Sequence, residues 1–353
     1  MRHCILLLSC FCSVACCAQI KTAAGHEIAP DAMTHLLQAQ MDSLDIPGVS
    51  IAIINDGKII YEQALGFANK ETGKKVDSST IFECASMSKT VFAWLVLKLR
   101  QDGLLKLNME RPVYEYYPYP DIAYDNRYKL ITPRMLLTHT SGFPNWRGNE
   151  KLSIKFTPGT QYSYSGEGFE YLAYAVESLT HTTATSIDSL MQLELVKPLG
   201  IVHFSFVKND YLAAHKAVGY NHDSTKLVAH LSEMPDAFHP AYGLHTTPRE
   251  YAKFLIAMME NKGLNKANTD TMLTPKVNVT NNGKPTDHYY GYGIGIDSTA
   301  LGPIYQHTGN NGNFFTGGFM FFRTKKLGFV VFTNGDRGTE LYRRVAKWMA
   351  EVN

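Results

Sequence analysis

Between Val91 and Leu99 the only polar side chain is Lys98. A helix over that run has no polar face, and such a helix is buried on all sides. The chain must therefore wrap further layers around this segment. Its 353 residues suffice, since ~100–200 residues per domain makes about two domains. Hydrophobic residues are 45% and charged residues 19% of the total, enough apolar surface to offset the entropy of ordering. The 34 basic and 32 acidic residues leave a net charge of +2, so no basic field recruits nucleic acid.

The surrounding elements follow from periodicity. Ala32 to Leu44 places Met33, Leu36, Leu37, Met41 and Leu44 on one helical stripe, ended by Ile46-Pro47-Gly48. Val49 to Ile54 is β-rich, Asn55-Asp56-Gly57 turns it, and Lys58 to Phe67 returns as a hairpin. Helical patterns follow around Arg134 to His139, Phe169 to Leu179, Ser186 to Val196 and Pro248 to Met259. The chain then turns β again at Tyr289 to Ile296, Gly317 to Phe322 and Leu327 to Thr333, before a closing helix at Glu340 to Met349. Strands at both ends with helices between predict an α+β fold. One antiparallel five-stranded sheet is shared by the two ends and flanked by the terminal helices, with a mainly helical lobe inserted. The sheet lobe spans 19–82 plus 237–353, and the helical lobe spans 83–236.

Residues 1–18 read as an address. Met1-Arg2-His3 precedes an uncharged run from Ile5 to Ala15, about 11 residues and too short to span a bilayer. A basic start, a short apolar core and small residues after it form a secretory signal, cleaved between Ala18 and Gln19, which implies export to the periplasm. An alternative makes Cys16 or Cys17 a lipid anchor, because Ser13-Val14-Ala15-Cys16 resembles a lipoprotein cleavage box. The six cysteines stand at 4, 10, 12, 16, 17 and 84. Only Cys84 lies beyond the leader, so the mature chain has no internal disulfide.

Several catalytic signatures are missing. No serine sits in Gly-x-Ser-x-Gly, there is no phosphate-binding Gly-x-x-x-x-Gly-Lys-Ser/Thr, and neither His-Glu-x-x-His nor a mature Cys-x-x-Cys offers a zinc site. Ser-x-x-Lys occurs twice, as Ser86-Met87-Ser88-Lys89 and as Ser205-Phe206-Val207-Lys208. Ser86 opens the apolar helix, so Ser86 and Lys89 lie one turn apart. Ser205 lies in an alternating, strand-like stretch, where side chains three apart face opposite ways. A serine hydroxyl needs a base to become a nucleophile, and a lysine pressed against an apolar helix is desolvated toward a useful pKa. The plain alternative is an N-cap serine beside a surface lysine.

Three further stretches complete a pattern. Leu136-Leu137-Thr138-His139-Thr140-Ser141-Gly142, Pro158-Gly159-Thr160-Gln161-Tyr162-Ser163-Tyr164-Ser165 and His307-Thr308-Gly309 follow Ser86-x-x-Lys89 in order. Together they resemble the serine β-lactamase and penicillin-binding family, on its class C side, over roughly Met33 to Met349. The resemblance implies a β-lactamase/transpeptidase-like fold, no cofactor and no metal. It makes Ser86 the acyl-enzyme nucleophile, Lys89 its proton partner and Tyr164 a general base or proton relay. A base role for Tyr164 needs a cationic neighbour such as Lys89, because an isolated phenol has a pKa near 10. His307-Thr308-Gly309 would be the strand beside the cleft. His307 would polarise or orient a substrate carboxylate or carbonyl, and Gly309 would leave room for the substrate backbone. Backbone N–H groups of Ser86 and Asn310 would form the oxyanion hole.

Two departures bear on substrate. The family's Tyr-x-Asn reads Tyr164-Ser165-Gly166 here, which removes the amide that normally bonds the acyl amide; Glu167 either replaces it or caps the following helix. His307 stands where many β-lactamases have lysine, as in D-peptidases and esterase-like members. Asn310 to Phe315 is either a pocket wall or a hairpin loop. The expectation is an exported serine hydrolase acting on amide or ester substrates through a Ser86 acyl-enzyme, D-peptidase or esterase-like. Its partner would be a small-molecule or peptide acyl substrate. True class C-like β-lactamase activity is the alternative. A catalytically idle ligand-binding or assembly protein on the same fold is the reading from another class.

Overall fold

The computed structural model describes residues 19–223, 226–280 and 284–351. The expected leader, with Cys16 and Cys17, lies outside the described residues. A short pair, β1 (Ile20–Lys21) and β2 (Glu27–Ile28), precedes helix α1 (Pro30–Leu44). Strands β3 (Gly48–Asn55), β4 (Lys58–Asn69), β5 (Lys74–Lys75) and β6 (Phe82–Glu83) follow. The helical stretch holds α2 (Ser88–Gln101), α3 (Pro133–Leu137), α4 (Gly166–Thr180), α5 (Ala184–Met191) and α6 (Asp210–His215). A hairpin of β7 (Gly219–Asp223) and β8 (Lys226–His230) then leads to β9 (His245–Thr246), α7 (Pro248–Glu260) and α8 (Lys266–Leu273). The chain closes with β10 (Val277–Asn278), β11 (His288–Tyr290), β12 (Gly295–Asp297), β13 (Ile304–Asn311), β14 (Phe315–Phe322), β15 (Leu327–Thr333) and α9 (Gly338–Ala350).

The two ends of the chain meet in one antiparallel sheet, ordered β10-β11-β12-β13-β14-β15-β3-β4-β5. The seam between them is β15 against β3, with Thr333 opposite Val49 and Gly328 opposite Ile54. Five long strands carry the sheet, and four short ones widen it to nine. Val49, Ile51 and Ile53 pack with Met33 and Leu37 of α1 and with Leu341 and Val345 of α9. Ala52 and Ile54 face the other way, into the cluster that includes α2 and α7. A strand covered on both faces reads as an unbroken apolar run, which is what Val49 to Ile54 shows.

Every residue of α2 from Val91 to Leu97 is at most 1% exposed. Lys98 escapes by extending its amine to Glu194 at 2.9 Å, the usual behaviour of a long stem with a charged tip. The segment expected as one strand, Tyr289 to Ile296, is instead the hairpin of β11 and β12. Gly293 turns it in the left-handed region (φ +67°), and the Gly291 N–H closes it on the Ile294 carbonyl at 2.9 Å. A side chain at Gly293 would also strike the Lys89 carbonyl, 2.8 Å from its Cβ. The segment 311–314 is a hairpin turn, with positive φ at Gly312 and Asn313 as a type I′ turn requires.

Because α2 is enclosed on all sides, Leu95→Ala should lose about 2–5 kcal/mol in urea unfolding. Leu104→Ala, half exposed just beyond the helix, should stay within about 0.5 kcal/mol of the parent. Equal effects at the two positions would contradict this packing.

Candidate active site

Strand β6 pairs with β9, Phe82 opposite Thr246 and Glu83 opposite His245, and the Cys84 N–H bonds the Leu244 carbonyl at 2.8 Å. The chain then bends sharply. Ala85 sits at φ +48°, a region that costs an L-residue roughly 1–2 kcal/mol, and Ala85–Met87 form a single 3₁₀ turn. Ser86 thus lies in the turn leading into α2 rather than in the helix itself, and it is half-buried. The turn is clamped: Tyr251 Oη donates to the Met87 carbonyl at 3.0 Å, and Ser88 Oγ accepts the Leu244 N–H at 3.0 Å. A Cβ on Gly309 would lie 2.4 Å from the Cys84 carbonyl. Gly309 therefore lets β13 lie flush against the turn that carries Ser86; its room is taken by the protein's own backbone, where sequence reasoning expected it to admit substrate.

Lys89 is fully buried. Its Nζ lies 3.1 Å from Ser86 Oγ and 2.7 Å from the Ala241 carbonyl. Burial pushes its pKa down to about 7, while the carboxylate of Glu170 pulls it partly back up. Glu170 also supports the Ala241 segment: its Oε1 accepts the Ala241 N–H at 3.3 Å, and its Oε2 meets His239 Nδ1 at 3.1 Å.

Tyr164 is carried on the loop that ends at the start of α4. His139 holds that loop: its carbonyl accepts the Ser163 N–H at 2.8 Å and its Nδ1 accepts the Ser165 N–H at 3.0 Å. The His139 ring backs the Tyr164 ring, centroids 4.2 Å apart, and Lys89 Nζ is 4.9 Å from the Tyr164 centroid. Ser86, Lys89 and Tyr164 are thus brought together. Tyr164 Oη is buried without a hydrogen-bond partner among the described residues. Burial raises its pKa; the nearby Ser86 hydroxyl lowers it only in part, without reaching hydrogen-bond geometry. Of the two expected roles for Tyr164, general base or proton relay, the raised pKa favours the second. The same desolvation that leaves Lys89 titrating near neutrality keeps the phenol protonated, because both charged forms are disfavoured. The site therefore pairs an amine that titrates near neutrality with a protonated phenol.

His307 stands on β13 with both nitrogens occupied. Nδ1 lies 2.6 Å from the Thr308 carbonyl. A carbonyl only accepts, so Nδ1 bears the proton and Nε2 accepts from Tyr290 Oη at 2.7 Å. Burial first, then the Lys89 charge, holds the imidazole pKa down to about 3. The ring is neutral and committed to Tyr290, so it offers no charge to a substrate carboxylate. On β13, strand β12 pairs with Ile304, Tyr305 and Gln306 alone. From His307 onward that edge of β13 is left unpaired by β12 and borders a cleft of about 170 Å³ lined by Tyr162, Tyr164, Tyr290 and Thr308. Asn310 is exposed, and its side chain donates to Asn313 Oδ1 at 2.7 Å.

Glu167 does not stand in for the missing asparagine. It is buried and ion-paired to Arg147, Nη2 to Oε2 at 2.9 Å. The second Ser-x-x-Lys is structural: Ser205 Oγ donates to Asp188 at 3.0 Å and Lys208 is exposed. Sequence reasoning missed the Ala241 carbonyl, Glu170 and Tyr290, none of which belongs to a motif. His139 was in view as part of a motif but without a role.

A family model described as Beta-lactamase matches residues 33–353, and the chain belongs to that family. "Protein flp" of Staphylococcus aureus (strain NCTC 8325 / PS 47) is 27% identical over 246 residues, covering 62% of this chain and 47% of that protein. The putative penicillin-binding protein PbpX of Bacillus subtilis (strain 168) is 25% identical over 236 residues, covering 63% and 58%. The chain thus spans about half the length of the curated relatives it matches. Among solved structures, an octameric penicillin-binding protein homologue from Pyrococcus abyssi superposes with TM-score 0.77 at 21% identity, covering 91% of this chain and 77% of that one. D-alanine carboxypeptidase AmpC from Burkholderia cenocepacia gives TM-score 0.73 at 22% identity, covering 90% and 98%. These likenesses establish the β-lactamase/transpeptidase-like fold.

Carbon-13 NMR of labelled lysine should find one residue, lost in Lys89→Met, titrating near pH 7 against about 10.4 for exposed lysines. Glu170→Gln should move that midpoint lower, because the carboxylate favours the charged amine. A midpoint for Lys89 among the ordinary lysines would remove the physical basis of the site.

Proposed function

We propose that this chain is a serine acyl hydrolase working through a covalent Ser86 acyl-enzyme, esterase or D-peptidase-like. One observation carries the reading: the Ser86 hydroxyl lies 3.1 Å from an amine that burial holds near neutrality. Neutral Lys89 takes the Ser86 proton as Oγ attacks the acyl carbonyl. The backbone N–H groups of Ser86 and Asn310 receive the oxyanion. The Tyr164 phenol protonates the leaving alcohol or amine and is re-protonated through Lys89. Water then attacks the Ser86 ester with the same amine taking its proton; as the acyl C–O bond to Ser86 breaks, that proton passes to Oγ, which releases the acid and restores the hydroxyl and the neutral amine.

Two features support the esterase side of this reading over true β-lactamase activity. Gly166 supplies no side-chain amide for the acyl amide, and neutral His307 supplies no charge for a carboxylate. The family name itself is compatible with either. The leader read in residues 1–18 supports export, with the periplasm as destination.

A fluorophosphonate probe should label the parent chain once, on Ser86 by peptide mapping, and Ser86→Ala should abolish the label. Turnover of p-nitrophenyl acetate should exceed that of nitrocefin. Its kcat/KM should rise about tenfold per pH unit below pH 7 and level off above it, as Lys89 loses its proton. A probe adduct elsewhere, or dominant nitrocefin turnover, would overturn this assignment.

A further inference from the structure

The place of the missing asparagine is occupied. A Cβ built on Gly166 would fall 2.6 Å from Trp146 Cζ2, 2.7 Å from its Cη2 and 3.0 Å from the Asn145 carbonyl. An asparagine at 166 would therefore have to displace the Trp146 indole from the position it takes here. The indole is held between pinned neighbours. The Asn145 carbonyl accepts the N–H groups of both Gly166 and Glu167, at 3.0 and 3.1 Å, and Asn145 Oδ1 accepts the Gly166 N–H as well, at 3.0 Å. On the other side, Arg147 donates its N–H to Glu167 Oε1 at 3.1 Å and its guanidinium to the same carboxylate.

The free side of the indole meets Tyr242 edge to face, ring centroids 5.7 Å apart. Tyr242 follows Ala241, whose carbonyl holds Lys89 Nζ, and it stacks on His239 at 4.9 Å. Trp146 and Tyr242 thus bridge the two stretches of chain that carry Tyr164 and position Lys89. Trp146 is nevertheless 47% exposed. A large aromatic surface packed on Gly166, two residues beyond Tyr164, and left uncovered by the protein is suited to an apolar group of a ligand. The nearby cation does not change that character, since Arg147 is paired with Glu167 and Asp121.

We propose that Trp146 and Tyr242 form the acyl-group subsite, and that it selects uncharged esters whose acyl chain ends in an aromatic or branched apolar group and lacks an amide. This rests on the acyl-hydrolase reading and names its substrate class. Trading an amide donor for an indole inverts the preference: an apolar acyl group gains contact with the ring, whereas an acyl amide laid against it goes without the partner it has in water.

The experiment compares three p-nitrophenyl esters on the full chain: acetyl, phenylacetyl and benzoylglycyl, the last carrying an amide. The parent should prefer phenylacetyl over acetyl by ~10-fold or more in kcat/KM, the scale of discrimination an apolar pocket provides. Trp146→Ala should erase most of that preference, chiefly through KM, and Tyr242→Ala should reduce it. Gly166→Asn should gain nothing on the benzoylglycyl ester, whereas Gly166→Asn combined with Trp146→Ala should gain on it relative to Trp146→Ala alone. Fluorophosphonate labelling of Ser86 in each variant establishes that the site is folded. A parent that prefers the benzoylglycyl ester, or that shows no phenylacetyl preference, overturns the subsite even if every variant fails to fold. A labelled Trp146→Ala variant with the preference intact does the same. A parent that neither labels at Ser86 nor hydrolyses any of the three esters overturns the acyl-hydrolase reading, and the subsite with it.

Discussion

The burial of one amine organises this molecule. Lys89 sits in the first turn of a helix enclosed on every face, and its ammonium form is disfavoured because too little water and only a distant carboxylate, Glu170, compensate it. That single condition sets the states of its neighbours. A lysine that is about half neutral at pH 7 has a free lone pair facing the Ser86 hydroxyl, and burial keeps the Tyr164 phenol protonated. Desolvation acts on these two groups of opposite charge type in the same sense, favouring the neutral form of each.

The surroundings are shaped to hold that condition rather than to relieve it. The polar atoms that reach Lys89 Nζ are the Ser86 hydroxyl and the Ala241 carbonyl, dipoles that orient an amine without the full charge that would keep it protonated. Glu170 is held back, bonded to the Ala241 N–H and to His239 instead of to the amine. His307 follows the same logic: with Thr308 on one nitrogen and Tyr290 on the other, its ring stays uncharged beside a lysine whose protonation a second cation would further oppose.

Local spacing made Ser86 and Lys89 legible, because three residues across a turn fix two side chains on neighbouring faces whatever the rest of the chain does. Four of the five long strands, β3, β4, β14 and β15, were legible from their apolar patterns, whereas β13, with its polar Gln306-His307-Thr308 stretch, was expected only from the family resemblance at His307-Thr308-Gly309. The partners that tune the site were not. Ala241 contributes a backbone carbonyl, which no sequence pattern marks, and it lies 152 positions from Lys89. Tyr290 was hidden inside a stretch that reads as one strand, and only the turn at Gly293 separates it from β12 and aims it at His307. The role of Gly309 was misread because its missing side chain serves a contact with Cys84, 225 residues earlier, that only the fold creates.

The arrangement has a thermodynamic consequence with a definite sign. The unfolded chain carries Lys89 with an ordinary pKa near 10.4, whereas the folded chain holds it near 7. Between those values the unfolded state binds the extra proton, so stability rises with pH across that window, and the full penalty, on the order of a few kcal/mol, is present below it. The fold carries this burden through the apolar packing of α2, where a run of side chains excluded from water offsets one desolvated amine. The enclosure that makes α2 the anchor of the core is therefore the same enclosure that makes Lys89 reactive. Loosening it to relieve the lysine would restore the ammonium form near neutral pH. Stability and chemistry in this protein are set against each other at one side chain.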